Sequence, residues 1–526
     1  MDNDNAAMYE VCHISDRIFA LHPKFRRANF YSQQLRILKL VENVSRRVKL
    51  QGKTAVVVGA GVSGLTAAAA LFTLKASVSI IEERSPLHKY REAVHREIHP
   101  NLIFWPFQDL RAITNLPFLN WSYGSADRVR AEIMTQWNKY YHSHVNIESG
   151  TVLSVEDNGH HATINLSSGR RMYPDLIILA VGFQQEKDIS GTKPSAPEYW
   201  APYSAREMPV IVSGTGDGGL IDVAYQFYGV SAVKASRIFA YKMNPTPLKR
   251  VVALNEQIAM EYVNNNEIDR AYNFLNDFYS RIQFSNEAVG LLRQFETDIW
   301  PHVILYHRDP HPYSPFSAPV NKLLLSLCAE RFNSCFQTER AELTISPLGW
   351  PVRTLVGSDS TATEGQLLLA FDKGSPSGMN LVQGTTIIRH GATHALDNIL
   401  TNAQKDKLND NIRDHSDILN GVTRDEFNFK LYCGMSANRL SPTSRHSGEE
   451  FTALIWRLLG SILGESPIPF KPGQTARDRN GNLTIYEASS LPQHVREQFP
   501  ITIQGLTIRL VAGRRKRYTY NANRGG

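Results

Sequence analysis

Short apolar runs that end in glycine stand out along the chain. Ala55–Val58 is a run of alanine and valine, broken by a turn at Gly59, Gly61 and Gly64. The alanine-rich stretch SGLTAAAALFTLKA follows, and then a second apolar run, SVSIIEE. Strand, glycine turn, helix and strand in that order predict the start of a βαβ unit in a doubly wound parallel sheet. Residues 145–183 alternate apolar runs with turn residues, which predicts an antiparallel excursion returning to a buried strand at Leu176–Ala180. A second apolar run then enters a second glycine-rich turn in MPVIVSGTGDGGLID, Met208–Asp222.

Elsewhere the apolar positions recur every three or four residues. Residues 1–50 read as a helical arm, closed by Gln51-Gly52-Lys53. Residues 249–305 read as helical and aromatic, with further helices at APVNKLLLSLCAERF and SGEEFTALIWRLLGSIL. Strands are expected near GQLLLAFD and ITIQGLTIRLVAG. No internal repeat or low-complexity segment is apparent. The expected division is an arm over 1–50, a Rossmann-like domain over 51–230, a mostly helical substrate or cap region over 231–400, and an α+β region with a basic tail over 401–526.

Composition narrows the class. The 526 residues are 42% hydrophobic and 20% charged, an ordinary globular balance. No apolar run approaches the roughly 18 residues of a membrane span. The polar, acidic start MDNDNAAMYEVCHISD does not resemble a secretory signal, so a cytoplasmic protein is expected. The charge of +7 is concentrated partly near the two ends. No nucleic-acid motif accompanies these clusters, which read as solvated surface or a site for a protein partner. Cys12, Cys328, Cys335 and Cys433 form no C-x-x-C pair and no metal-finger spacing, so they read as reduced thiols and no metal is expected.

The first glycine turn has specific physical requirements. Gly59 permits the tight turn, Gly61 lets a pyrophosphate approach the backbone, and Gly64 lets the helix pack closely on the sheet. Val62 and Ser63 begin the helix whose N-terminus would face the anion. Glu82, followed by Glu83, ends the next strand where a carboxylate can accept hydrogen bonds from ribose hydroxyls. The stretch VVVGAGVSGLTAAAALFTLKASVSIIEE resembles the FAD-binding fingerprint of two-dinucleotide-binding flavoproteins and their amine-oxidase and monooxygenase relatives. PDLIILAVGF resembles their strand ending in Ala-Thr-Gly, with Val181 in place of threonine and Gly182 as the glycine near the cofactor. The resemblance implies FAD as cofactor and an oxidoreductase acting on a small molecule.

The second turn admits two readings. Gly214, Gly216, Gly218 and Gly219 resemble the GGGDSA loop of thioredoxin-reductase-like proteins, which implies a site for NADPH or NADH. In that case ASRIFAYKMN would be the following strand, and its Arg237 and Lys242 would suit the extra phosphate of NADPH. Alternatively, Gly216-Asp217 resembles the Gly-Asp motif that closes an FAD site. The helical pattern after the loop favours this second reading, since a nicotinamide domain should continue in strands.

The catalytic residues are not evident. Tyr90, Arg91, His95, His99 and Trp105 follow the ribose-binding acid and are candidates for flavin or substrate contact, with Tyr90, His95 and His99 as candidate catalytic groups. His95 and His99 stand four apart, but Pro100 opposes the helix that a metal pair there would need. His302, His307, Asp309 and His311 lie in a proline-rich segment that could line a substrate mouth. The expected function is hydride transfer from a small molecule to flavin N5. The alternatives are a reductase or monooxygenase fed by NAD(P)H, and a non-catalytic dinucleotide-binding or sensing module. A sirtuin-like reading of GAGVS is opposed by Glu82.

Overall fold

The strand–turn–helix–strand reading of residues 54–82 holds in the computed structural model of the chain. β3 (Thr54–Val58) runs into α3 (Val62–Thr73) and returns as β4 (Ser77–Glu82), parallel to β3. The structure describes residues 3–21, 28–91, 93–108, 110–114, 116–186, 199–200, 210–243, 247–284, 289–290, 292–345, 351–355, 385–389, 392–394, 396–414, 475–477, 483–486, 501–503 and 506–511. They divide into one unit of Met1–Leu110 with Gly124–Phe427, and a second of Arg111–Tyr123 with Asn428–Gly526.

In the first unit, β3 is central to a six-stranded sheet. Its order is β1 (His13–Ser15), β2 (Ile18–Ala20), β11 (Leu176–Leu179), β3, β4 and β7 (Asn146–Ser149). Every pair from β2 to β7 is parallel, and only β1 at the edge is antiparallel. Strands buried on both faces are continuously apolar, as in TAVVV and LIIL. The four alanines Ala67–Ala70 of α3 are fully buried, so the helix backbone lies close to its neighbours. A three-stranded antiparallel meander interrupts the path from β7 to β11: β8 (Val152–Asp157), β9 (Ala162–Leu166) and β10 (Arg171–Met172). Its Val155, Ile164 and Leu166 share one core with Val56, Val58, Ile177 and Leu179. The antiparallel excursion expected at 145–183 is this meander.

The N-terminal segment is more than a helical arm. α1 (Asn3–Cys12) and α2 (Phe30–Arg47) are helices, but β1 and β2 between them belong to the sheet. α2 is fixed by a capping box in which Asn29 Oδ1 accepts from Ser32 N–H (2.8 Å) and Ser32 Oγ from Asn29 N–H (2.9 Å). It packs beside α3, where Gln34 Nε2 donates to Thr66 Oγ1 (3.3 Å). A short antiparallel pair, β5 (Glu97–Ile98) with β6 (Gly124–Ser125), precedes α4 (Ala126–Tyr140).

The second glycine loop belongs to a second sheet, which corrects the preferred reading of the sequence. β13 (Val210–Ser213) pairs in parallel with β14 (Val303–His307) on one side and β17 (Thr385–Ile388) on the other. β14 pairs in parallel with β15 (Phe336–Ile345), and β16 (Pro351–Leu355) closes that edge antiparallel. The helical segment that argued against strands is an insertion between β13 and β14. It comprises α5 (Asp217–Tyr228), α6 (Ala232–Met243), α7 (Pro247–Asn264) and α8 (Ile268–Ser280). Residues 231–400 thus mix helices with the strands of this second sheet, and the boundary expected at 230 falls inside this module. After β11, and again after β17, the chain adds a short strand. These two, β12 (Phe183–Glu186) and β18 (Ala392–His394), pair antiparallel. The sequence therefore holds two α/β modules of the same design.

The stretch expected as a strand, ASRIFAYKMN, lies mostly within α6. Its neighbourhood buries Ala232, Val233, Ala235, Ser236, Phe239 and Ala240, a three-and-four spacing rather than alternation. The helix expected at 319–331 forms as α9 (Pro319–Arg331), with Pro319 in its first turn. The stretches GQLLLAFD and SGEEFTALIWRLLGSIL, together with Cys433, lie outside the described residues. In the second unit, β19 (Thr475–Arg477), β20 (Leu483–Tyr486), β22 (Leu506–Val511) and β21 (Ile501–Ile503) form a four-stranded sheet in that order. The strand structure expected near ITIQGLTIRLVAG is present there, as β21 and β22. Among the described residues no helix is long and apolar enough to cross a membrane.

Candidate dinucleotide sites

The first site lies at the carboxyl ends of β3 and β11, where the strand order reverses direction and ligands of open α/β sheets bind. Gly59 has φ +100°, and a Cβ there would lie 2.6 Å from Ala180 O, so only glycine fits between the ends of the two strands. A Cβ on Gly64 would collide with Gly59 O, whereas one on Gly61 would meet nothing within 4 Å. The first and third glycines thus serve packing, and the second faces open space at the N-terminus of α3. The N-cap there is Gly61 itself, and no side chain caps the first turn. Those N–H groups and the helix dipole suit a phosphate.

Glu82 is held ready beside this turn. Its Oε2 accepts from Ala60 N–H (2.6 Å) and its Oε1 from Arg84 N–H (2.9 Å). Each carboxylate oxygen keeps a further lone pair, enough for the two hydroxyls of a ribose. The next acid, Glu83, is exposed. Gly182 lies past the end of β11 with φ +66°, and a Cβ on it would also meet nothing within 4 Å. The open space at Gly61, the uncapped helix and the oriented carboxylate fit a dinucleotide.

The second loop reproduces the first. Gly59 N–H donates to Ile81 O (2.8 Å), and Gly214 N–H donates to Tyr306 O (3.0 Å). Ala180 N–H donates to Val58 O (2.9 Å), and Arg389 N–H donates to Ser213 O (2.8 Å). Gly214 has φ +117° and abuts Arg389 O as Gly59 abuts Ala180 O. A Cβ on Gly219 would collide with Gly214 O, whereas one on Gly216 would meet nothing within 4 Å. Gly216 is the N-cap of α5, again without a side-chain cap.

Asp217 lies in the second loop, not beside the first. Its Oδ1 accepts from Ala318 N–H (2.6 Å) and Asn321 Nδ2 (2.8 Å), which anchors the start of α9 to the second loop. Gly218 faces Arg389 Cδ at 3.5 Å and the Tyr199 ring at 3.7 Å, measured from where its Cβ would be.

At the position of Glu82 the second module carries His307, the residue after Tyr306. His307 is buried, and its Nδ1 donates to Asp309 O (2.9 Å). Burial, together with the positive fields of His311 and Arg340, lowers its pKa and favours the neutral ring. Arg308 is exposed beside it, and Arg340 stands opposite His307 in the β14–β15 ladder. Asp309 Oδ2 accepts from Thr215 Oγ1 (3.3 Å). The expected group His302, His307, Asp309 and His311 is therefore split. His302 lies at the opposite end of β14, where its carbonyl accepts from Val210 N–H. Arg237 and Lys242, expected near a cofactor phosphate, are on α6 and not at the end of a strand.

An aromatic and ionic cluster joins the two modules. The Tyr90 ring packs edge-on against Phe30 (4.5 Å between centroids) and Trp200 (4.8 Å), and Trp200 packs against Tyr199 (5.0 Å). Burial raises the Tyr90 phenol to about 12, so it is protonated at neutral pH. Arg96, buried, stacks on Tyr199 and Tyr225 and reaches Asp222 Oδ1 through Nη2 (2.6 Å). Arg389 reaches the other oxygen of Asp222 through Nε (2.6 Å). Arg96 and this trio were not identified from sequence, because their members are up to 293 positions apart (389 − 96) and no local motif marks them.

The remaining candidates separate. His99 is buried, and its Nδ1 accepts from Asn101 N–H (3.1 Å) and Leu102 N–H (3.0 Å), so it caps a 3-10 turn. Burial and the nearby Arg237 charge hold its pKa well below the ordinary value. Trp105 is fully buried, Arg91 is exposed, and His95 is half-buried. Cys12 and Cys328 are buried free thiols and Cys335 is a partly buried one. Among the described residues no cluster of three His, Cys, Asp or Glu side chains could hold a metal ion.

No protein-family model matches the chain, and no curated protein matches it. Solved structures similar to it include the bacillithiol disulfide reductase from Staphylococcus aureus, with TM-score 0.36, 13% identity, and 66% of this chain and 79% of that one covered. The T. acidophilum thioredoxin reductase gives TM-score 0.32 and 11% identity over 66% of this chain and 80% of that one. A mutant form of the flavin monooxygenase from Stenotrophomonas maltophilia gives TM-score 0.25 and 19% identity over 33% and 54%.

Proposed function

We propose that the chain is an FAD-dependent oxidoreductase that takes hydride from NADPH. The first module holds FAD and the second holds the nicotinamide nucleotide. The observation that carries this reading is the matched hydrogen bonding around Gly59 and Gly214, which supports treating the second loop as a nucleotide turn in its own sheet. The difference between the modules then assigns the two ligands. Glu82 offers lone pairs to ribose hydroxyls and repels a phosphate, whereas His307 with Arg308 and Arg340 favours one.

The chain's own part in the chemistry is to bind and orient. Gly61 and the start of α3 receive the FAD pyrophosphate, Glu82 its adenosine ribose, and Gly182 leaves room beside the end of β11. Gly214, Gly216 and the start of α5 do the same for NADPH. Arg96, Asp222 and Arg389 tie the modules together, and the Tyr90, Trp200 and Tyr199 rings keep the junction apolar. The bound flavin supplies the electron transfer between NADPH and an acceptor. The sequence has no C-x-x-C pair, so the acceptor is a small molecule or oxygen and not an internal disulfide.

The test is spectroscopic. The purified, FAD-reconstituted protein is mixed with NADPH without oxygen. Prompt bleaching of the flavin absorbance, slower with NADH, is the expected result. A flavin that stays oxidised with both nucleotides would return the second loop to a structural role. Failure to bind FAD would overturn the reading as a whole.

A further inference from the structure

The insertion α7–α8 is absent from the first module, and among the described residues it bonds to the loop of residues 308–318 between β14 and α9, beside the second glycine turn. On the inner side this loop is fastened to the glycine turn. Ser317 Oγ donates to Thr215 O (2.6 Å), Thr215 Oγ1 donates to Asp309 (3.3 Å), and Ala318 N–H donates to Asp217 (2.6 Å). On the outer side it is fastened to the insertion. His311 Nε2 lies 2.8 Å from Asn273 Oδ1 on α8, and Ser314 Oγ lies 3.2 Å from Tyr272 OH.

A buried ion pair supports the same loop from below. Lys322 Nζ of α9 donates to Ser314 O (3.0 Å) and to Glu256 Oε2 of α7 (2.9 Å), and Tyr279 OH of α8 donates to Glu256 Oε1 (2.5 Å). Lys322 and Glu256 are both fully buried. Breaking such a pair is costly, so it resists separation of α7, α8 and α9.

We infer that the α7–α8 hairpin positions the phosphate-recognition loop of the second site, with Asn273 and Tyr272 as positioning residues for adenosine 2′-phosphate binding. The inference rests on the assignment of that site to NADPH. Arg308 sits where the loop leaves β14, and the contacts that fasten the loop beyond it run to the glycine turn, to this hairpin and, at Ser314 O, to Lys322 of α9. Releasing the outer fastenings leaves the glycine turn intact and lets the cationic stretch drift from the nucleotide. Neither side chain touches the ligand in this scheme.

The probe is adenosine 2′,5′-bisphosphate, titrated calorimetrically into the full chain, with adenosine 5′-monophosphate as the control lacking the 2′-phosphate. Asn273→Ala and Tyr272→Phe are expected to weaken the bisphosphate about 3- to 10-fold, the scale of one lost hydrogen bond. The monophosphate should change by less than about 2-fold, and Asn273→Asp, which keeps the acceptor, should restore part of the loss. Thermal melting monitors folding, and a merely structural defect would weaken both probes together. Arg308→Ala separates the two levels of argument. If it weakens the bisphosphate while Asn273→Ala and Tyr272→Phe do not, the positioning role is wrong and the site assignment stands. If the wild-type chain discriminates nothing between the probes, the NADPH assignment fails and the inference with it.

Discussion

Glu82 and His307 occupy the same place in two copies of one design. Each follows the strand residue whose carbonyl accepts the N–H of the first loop glycine, Ile81 for Gly59 and Tyr306 for Gly214. Each also contacts the backbone two residues on: Glu82 accepts from Arg84 N–H, and His307 Nδ1 donates to Asp309 O. Where the first module has a carboxylate the second has an imidazole, with Arg308 beside it and Arg340 opposite in the ladder.

That exchange predicts nucleotide preference. Arg308→Ala should lower kcat/KM for NADPH by about 10- to 100-fold, the scale of a charge-assisted hydrogen bond, and leave NADH nearly unchanged. His307→Glu should go further and favour NADH, because the new carboxylate repels the 2′-phosphate. Steady-state kinetics with both nucleotides checks this, and equal losses for the two would remove the phosphate from the argument.

The glycines of the first loop should separate stability from binding. Gly61→Ala adds a methyl group to open space, so the melting temperature should hold within a few degrees while FAD retention drops about 10-fold or more. Gly64→Ala drives a Cβ into Gly59 O, and the helix must move off the sheet. A loss of about 2–4 kcal/mol in chemical denaturation is expected, with FAD lost as a consequence. Flavin content measured beside unfolding midpoints distinguishes the two variants. Glu82→Gln keeps the shape but reduces the charge-assisted bonds, and should weaken FAD about 10-fold without unfolding the protein.

The first glycine unit was legible in the sequence because its own elements are local. β3, the glycine turn, α3 and Glu82 span Thr54 to Glu82, and each element follows from its own residues. The second loop was visible as a glycine turn but its own sheet was not, because β13 finds its partners at Val303 and Thr385. Long-range parallel pairing leaves no periodic mark, and the helices inserted between the strands masked it. One signal was available: VILYHR, an apolar run ending in His307 and Arg308, has the form of a second nucleotide strand whose acid has been replaced. β2 escaped notice because three residues, Ile18–Ala20, carry no alternation. ASRIFAYKMN was expected as a strand only in the nicotinamide reading of the second loop, and most of it lies in α6, buried at helical spacing.

The N-terminal strands should show their dependence on one carboxylate under acid. Asp157 of β8 accepts from Ser15 Oγ (2.8 Å), Gly159 N–H (2.9 Å) and Arg17 Nη1 (3.3 Å). Burial opposes ionisation, but the Gly159 and Ser15 hydrogen bonds and the Arg17 charge outweigh it and lower the pKa below the ordinary 3.8. A carboxyl whose folded pKa is depressed contributes stability that is present above pH 3.8 and is lost as pH falls through the folded value. Asp157→Asn should therefore cost about 1–2 kcal/mol at neutral pH. The difference from wild type should shrink steadily below about pH 4. Denaturation curves at a series of pH values would show this, and a difference that stays constant down to pH 2–3 would assign the effect to packing.

The junction between the modules sets an order on its variants. Asp222 is fully buried and shared by Arg96 from the first module and Arg389 from the second. Asp222→Asn removes the carboxylate that both guanidiniums share and leaves two buried cations facing an amide. Removing one partner of a buried ionic contact costs about 3–5 kcal/mol. Arg96→Met leaves Asp222 paired with Arg389 and keeps an apolar chain between Tyr199 and Tyr225, so it should cost clearly less. It also removes the only one of the three that comes from the first module. Arg96→Met should therefore slow flavin reduction at saturating NADPH more than it weakens either nucleotide, since each site is intact and only their alignment is loosened. Anaerobic stopped-flow traces beside equilibrium titrations would read the two effects separately. A variant that binds both nucleotides and is reduced at the wild-type rate would show that the modules are aligned by the β12–β18 ladder and not by Arg96.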